Sequence, residues 1–154
     1  MTTKSNHIDA LQAIFGSHAR AEVFRVFLID PARAYYQRQL ERATKLPLRA
    51  VQRELEKFVE LGVLYRWTEG RRAYYQMDTR LSYFSELRAF VLRISSERLQ
   101  LRAALAADPA VRVAILDASG KGLLVVTDAT PHRSAAIPRG YAVREISADT
   151  FAAA

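Results

Sequence analysis

Between Leu48 and Met77 the side-chain pattern changes its period once. In PLRAVQRELEKFVELG, residues Leu48, Val51, Leu55 and Phe58 recur at spacings of three and four, which places them on one buried stripe of an α-helix. From Val63 to Thr68 and from Ala73 to Met77 the side chains alternate between faces and aromatics are frequent, the pattern of two short strands. Gly70 lies between the strands and supplies the dihedral that a tight turn requires. A helix that leads straight into a two-stranded hairpin predicts an α+β chain.

Upstream, IDALQAIF (8 to 15) has helical spacing and stops at Gly16. Ser17 then fits the cap of a second helix, with Ala21, Val23, Phe24, Phe27 and Leu28 on its face and an end before Pro31. A third, short helix is expected from Tyr35 or Tyr36 to Thr44, with Leu40 and Ala43 inward. Pro47 suits the start of the fourth, because the N–H it lacks would be unpaired there.

Charge is distributed unevenly over these elements. The chain carries 23 Lys and Arg against 16 Asp and Glu, a formal +7, which favours contact with a polyanion. From Arg33 to Arg72 there are ten basic and five acidic residues, so +5 of that total lies in the middle segment. In the fourth helix, Arg49, Gln52 and Arg53 occupy the amino-terminal half and the acids gather toward the other end, so the arginines and the positive end of the helix dipole coincide. A solvated amphipathic helix taken alone would look much the same. The hairpin adds Arg66, Arg71 and Arg72, expected at its tip. Two short helices, a tight turn and a basic hairpin make a helix-turn-helix with a wing, and duplex DNA is the expected partner.

Other chemistries are narrowed by residue type. The absence of cysteine removes disulfides, thiolate metal sites and cysteine nucleophiles. His7, His18 and His132 are widely separated and show no paired ligand spacing, so no metal site, cofactor or catalytic residue is expected. MTTKSNHIDALQ lacks the apolar core of a signal peptide, and no apolar run reaches membrane-spanning length. A cytoplasmic location is the expectation.

The stretch from FGSHAR through AVQRELEKFVELGVL to EGRRAYYQ resembles ArsR-like winged-helix transcriptional regulators, in particular the subgroup fused to a nucleotidyltransferase-like domain. The resemblance covers roughly residues 11 to 93. It implies Arg49, Gln52 and Arg53 as base readers, and Arg38, Arg42, Lys45, Arg66, Arg71 and Arg72 as contacts to phosphate or groove. The implied function is a dimeric, sequence-specific regulator, with repression the expected sign.

Downstream, RLSYFSELRAFVLRISSERLQLRAALAADP predicts one long helix ending at Pro109, with a seam of Phe84, Leu87, Val91, Ile94, Leu101 and Leu105 interrupted by Arg98. Its first half is expected to close the winged-helix core. Its second half is expected to pair with another chain, giving a homodimer suited to palindromic half-sites, or to pack on the carboxyl-terminal segment.

VRVAILDASGKGLLVVTD predicts two strands around a glycine-rich turn, with a third strand at YAVREIS (141 to 147) and a loop at PHRSAAIPRG. SGKG lacks the spacing of a phosphate-binding loop. Fused nucleotidyltransferase-like domains carry paired aspartates before an LLV-type strand, whereas here Gly120, Lys121 and Gly122 precede LLVVTD. Asp117 and Asp128 flank the hairpin without reproducing that pair, so the resemblance implies a shrunken remnant without the metal chemistry. The expected organisation is thus 1–80 winged helix-turn-helix, 81–107 long helix and 108–154 β-rich remnant. An antitoxin-like or adaptor protein, whose carboxyl-terminal segment binds a protein partner, is the competing reading.

Overall fold

In the computed structural model, which describes residues 6–128, 137 and 139–153, helix α1 spans Asn6–Phe15 and helix α2 spans His18–Ile29. The Ser17 hydroxyl accepts from the Arg20 N–H at 3.3 Å and caps α2, satisfying one of the N–H groups a helix leaves unpaired at its start. At the other end of α2, the Arg88 guanidinium donates to the Leu28 and Ile29 carbonyls at 2.9 and 3.5 Å. A cation on the last carbonyls complements the helix dipole. Burial lowers the Arg88 pKa from the ordinary arginine value, and Asp30 opposes that shift.

The third helix begins later than its pattern suggests. Tyr35–Tyr36 form a short strand (β1), and helix α3 runs Gln37–Thr44. Tyr35 and Tyr36 pair with Tyr75 and Tyr74, and Tyr35 is buried, so strand pairing outweighs the helical alternative. Gln39 Oε1 accepts from the Tyr36 N–H at 3.1 Å and closes the first turn of α3. Lys45 ends α3 in the left-handed region at φ 58°, and Leu46 and Pro47 lead into helix α4, Leu48–Glu60. Strands β2 (Leu64–Glu69) and β3 (Arg72–Met77) follow. Glu69 pairs with Arg72, which leaves a two-residue turn of Gly70 and Arg71. Only Gly70 of the two has positive φ, at +59°, as a type II′ turn requires of its first central residue. The sheet order is β1-β3-β2, antiparallel throughout.

One core unites these elements with helix α5, Phe84–Arg93. Phe27 and Leu28 of α2, Leu40 of α3, Val51 and Leu55 of α4, Tyr75 of β3 and Val91 of α5 are buried together. Each fully buried Leu or Phe contributes about 1.5–3 kcal/mol relative to exposure. Leu48, placed on the stripe by its spacing, is only half-buried because it stands at the open first turn.

The single long helix expected from residue 80 to Pro109 is corrected. It is two helices, α5 and α6 (Glu97–Ala107), and the chain divides into two compact units between Ser96 and Glu97. Ser95 explains the break. In a continuing helix its N–H would bond the Val91 carbonyl; instead the N–H turns to the Leu92 carbonyl at 3.1 Å and the hydroxyl takes Val91 at 2.7 Å. The seam is divided with it: Phe84, Leu87, Val91 and Ile94 belong to the first core, while Leu101 and Leu105 belong to a second. The stripe is therefore shared between two cores, and the chain divides into compact units at 96, where boundaries at 80 and 107 were expected.

In the second unit, strands β4 (Val111–Leu116), β5 (Gly122–Thr127) and β6 (Ala142–Ser147) form a sheet ordered β4-β5-β6, followed by the short helix α7, Ala148–Ala152. The β4–β5 pair is antiparallel and the β5–β6 pair parallel. Leu101 of α6 is buried with Leu123 and Val125 of β5. A Cβ at Gly122 would lie 2.3 Å from Asp117 Oδ2, so a larger residue there would displace the Asp117 carboxylate. The expected loop across residues 131 to 140 and His132 fall mostly outside the described residues. No described helix is long and apolar enough to cross a membrane.

Candidate nucleic-acid interface

Helices α3 and α4 and the β2–β3 hairpin carry the basic residues, and a chain of side-chain hydrogen bonds ties α4 to α3 and α3 to β3. Gln52 Nε2 of α4 donates to Gln37 Oε1 of α3 at 3.0 Å, and Gln37 Nε2 donates to the Tyr75 hydroxyl of β3 at 3.3 Å. Gln52, expected on the exposed side, is half-buried for this reason. Gln37 and Tyr75 had no signal in the sequence, because they stand 15 and 23 residues from Gln52 and only packing brings them together.

Arg49 and Arg53 are exposed one turn apart on α4, and Arg38 and Arg42 are exposed one turn apart on α3. Among the described residues no ion pair or hydrogen bond engages the side chains of Arg38, Arg42, Lys45, Arg49, Arg66 or Arg71. Those cations are available to an anionic partner. Arg53 is partly engaged: its Nε lies 3.5 Å from Glu54 Oε1, with the side chain 63% exposed.

Glu54, the next residue of α4, is a buried acid that the helical pattern did not assign. It is 1% exposed, and its carboxylate accepts from Arg20 Nε at 3.0 Å, with Lys57 Nζ at 3.6 Å. Arg20 also donates to the Phe15 carbonyl at 3.0 Å, so one cation joins the end of α1 to α2 and α4. A buried carboxylate needs such partners. The consequence for the surface is that an acid in the middle of α4 is neutralised largely from behind, leaving Arg49 unopposed and Arg53 only partly engaged.

The hairpin arginines separate. Arg66 does not sit at the turn; it pairs with Tyr75 in mid-strand and shares the sheet face whose Tyr75 hydroxyl meets Gln37. Arg71 is in the turn. Arg72 falls on the opposite face, with its guanidinium 5.0 Å over the Tyr36 ring. The reason is parity: a two-residue turn at 70 and 71 puts Arg72 opposite Glu69, one position out of step with Arg66.

In the second unit, both carboxylates near the expected remnant are held in local structure. Asp117 accepts from the Ser119 hydroxyl at 2.6 Å and the Lys121 N–H at 3.3 Å, and these bonds, Ser119 first, hold its pKa below the ordinary carboxylate value. Asp128 meets Arg112 in a two-pronged pair at 2.5 and 2.7 Å, which lowers its pKa in the same direction. Among the described residues no group of three or more His, Asp or Glu side chains could hold a metal ion.

Comparison of the chain with protein-family models, curated proteins and solved structures finds no match.

Proposed function

We propose that residues 35 to 77 form a winged helix-turn-helix that binds duplex DNA, and that the chain is a sequence-specific transcriptional regulator of ArsR-like type. In this reading α4 enters the major groove, where Arg49, Gln52 and Arg53 meet base edges, while Arg38, Arg42, Lys45, Arg66 and Arg71 meet phosphate or the adjoining groove. The observation that carries it is the Gln52–Gln37–Tyr75 chain, which links α4, α3 and β3 beside cations of which only Arg53 is partly paired. A solvated surface has no need of such registration between a helix and a hairpin. Dimerisation, which would set two such faces against a palindrome, belongs to this proposal, with a surface other than the divided 84–105 seam. The test is selection of bound sequences from a random duplex pool, then anisotropy titration of the selected and a scrambled duplex at several salt concentrations. Tight, selective binding by the selected duplex supports the proposal; equal, salt-sensitive binding of both refutes it.

A second reading, a protein-binding role for the carboxyl-terminal unit, is favoured by Val113 and Ile115, two residues apart on β4 and 40% and 46% exposed. Exposed neighbouring aliphatics suit a partner surface. The double change Val113→Arg and Ile115→Glu then abolishes partner binding while duplex binding persists.

A further inference from the structure

The sheet of the first unit has two faces, and only one belongs to the core. On the buried face stand Tyr35 and Tyr75. On the other, the register places Tyr36 beside Tyr74 and Tyr74 beside Trp67, so three aromatic side chains form a row straight across β1, β3 and β2. The rings touch one another. Trp67 and Tyr74 are stacked at 5.9 Å with an interplanar angle of 20°, and Tyr36 meets Tyr74 edge-on at 6.0 Å. Tyr65 extends the same face along β2. Trp67 and Tyr65 are 38% and 40% exposed, a large area of aromatic surface to leave in water.

Arginines bracket this patch along the strand direction. Toward the turn, Arg72 lies over Tyr36; toward the base of the hairpin, Arg80 lies 5.2 Å over Tyr65. The acids nearby are Glu69, opposite Arg72, and Asp78, paired with Arg80 at 3.2 Å. Asp78 is recessed, its side chain 15% exposed against 79% for Arg80, so solvent meets the guanidinium. With Arg71 in the turn, the outward charges are three arginines against Glu69.

We propose that this face binds single-stranded DNA, with unpaired bases stacking on Trp67 and the neighbouring tyrosines and with Arg72, Arg80 and Arg71 meeting the flanking phosphates. Aromatic platforms flanked by cations hold unpaired strands without reading sequence, because every base has a stacking face. Apart from Arg71, which stands in the turn between them, this surface is separate from the duplex-reading side, since β-strand parity puts the two on opposite faces of one hairpin. The choice of DNA over RNA rests on the duplex proposal above, because the groove α4 would enter is open in B-form DNA and closed to side chains in A-form RNA.

Trp67 is the chain's single tryptophan, so its fluorescence reports on this patch alone. The experiment titrates the full chain with a 12-nucleotide DNA strand of mixed sequence, the same strand with abasic sites throughout, the RNA of the same sequence and a duplex. Expected is saturable quenching of Trp67 by the DNA strand, with the abasic strand bound about tenfold or more weakly despite equal phosphate charge. Trp67→Leu and Tyr36→Leu, each checked for an unchanged fold by circular dichroism, weaken the strand and leave the duplex alone; Arg49→Ala does the reverse, so either proposal can fail without the other. Equal binding of intact and abasic strands, or binding that leaves Trp67 emission unchanged, overturns the proposal. Tighter binding of the RNA overturns its assignment to DNA.

Discussion

Gln52 and Gln37 are joined by a hydrogen bond of 3.0 Å across 15 residues of sequence, which ties α4 to α3 beside their shared core. A base-reading side chain gains specificity when its rotamer is held before contact, because less entropy is lost on binding. Gln37→Leu is therefore expected to cost about 1 kcal/mol in stability and to relax discrimination at the base position nearest Gln52, with the slope of affinity against salt unchanged. Selection profiles of the two proteins, measured side by side, check this.

On the proposed duplex reading, the opposite placement of Arg66 and Arg72 divides the hairpin cations into two classes. Arg66→Ala combined with Arg71→Ala should weaken every duplex alike and lower the salt slope by up to about two ion equivalents. Arg72→Ala should leave that slope nearly unaltered, since its guanidinium lies over Tyr36 on the far face. If the Arg72 variant lost as much slope as the pair, the assignment of faces would be wrong.

Glu54 anchors three cations from one buried position on α4. Glu54→Ala removes one charge-assisted hydrogen bond, from Arg20, worth about 1.5–3 kcal/mol, and two longer ion pairs, and leaves cations that water can reach. A net loss of about 2–3 kcal/mol is expected from urea unfolding. The accompanying change should be detachment of α1, whose Phe15 carbonyl loses an oriented Arg20, seen as faster amide exchange over residues 6 to 15.

Asp117 and Asp128 make the second unit acid-sensitive. Both folded pKa values are depressed below the ordinary 3.8, so the contribution to stability is complete above the unfolded value and is lost as pH falls through the folded ones. Melting temperature should be level from pH 7 to about 5 and fall below about 4. Asp117→Asn should flatten part of that fall, and an identical acid profile in wild type and variant would show that the Ser119 and Lys121 bonds carry no linkage.

Lys45 holds a left-handed backbone without being glycine or asparagine. That conformation costs an ordinary L-residue roughly 1–2 kcal/mol, while glycine adopts it freely at an entropic cost of about 0.5–1 kcal/mol. Lys45→Gly should thus be neutral or stabilising by up to about 1 kcal/mol in thermal unfolding, while on the proposed duplex reading it removes one phosphate contact.

What the sequence determined by itself was the kind and order of elements in the first unit. Leu48, Val51, Leu55 and Phe58 specify α4, Ser17 specifies the start of α2, and Gly70 between alternating runs specifies the hairpin; each is a local pattern read within a turn or a strand. The candidate cations were legible too, as residue types in a charged segment. Only the tertiary structure decided which of them act together. Strand register set Arg66 and Arg72 on opposite faces and lined up Tyr36, Tyr74 and Trp67 from three strands. Packing buried Glu54 and drew Gln37 to Gln52, and one serine hydroxyl competing for the Val91 carbonyl divided a seam whose apolar spacing resumes at Leu101. Periodicity fixes which way a side chain points from its own backbone; what it meets there depends on residues tens of positions away, and no local pattern encodes that distance.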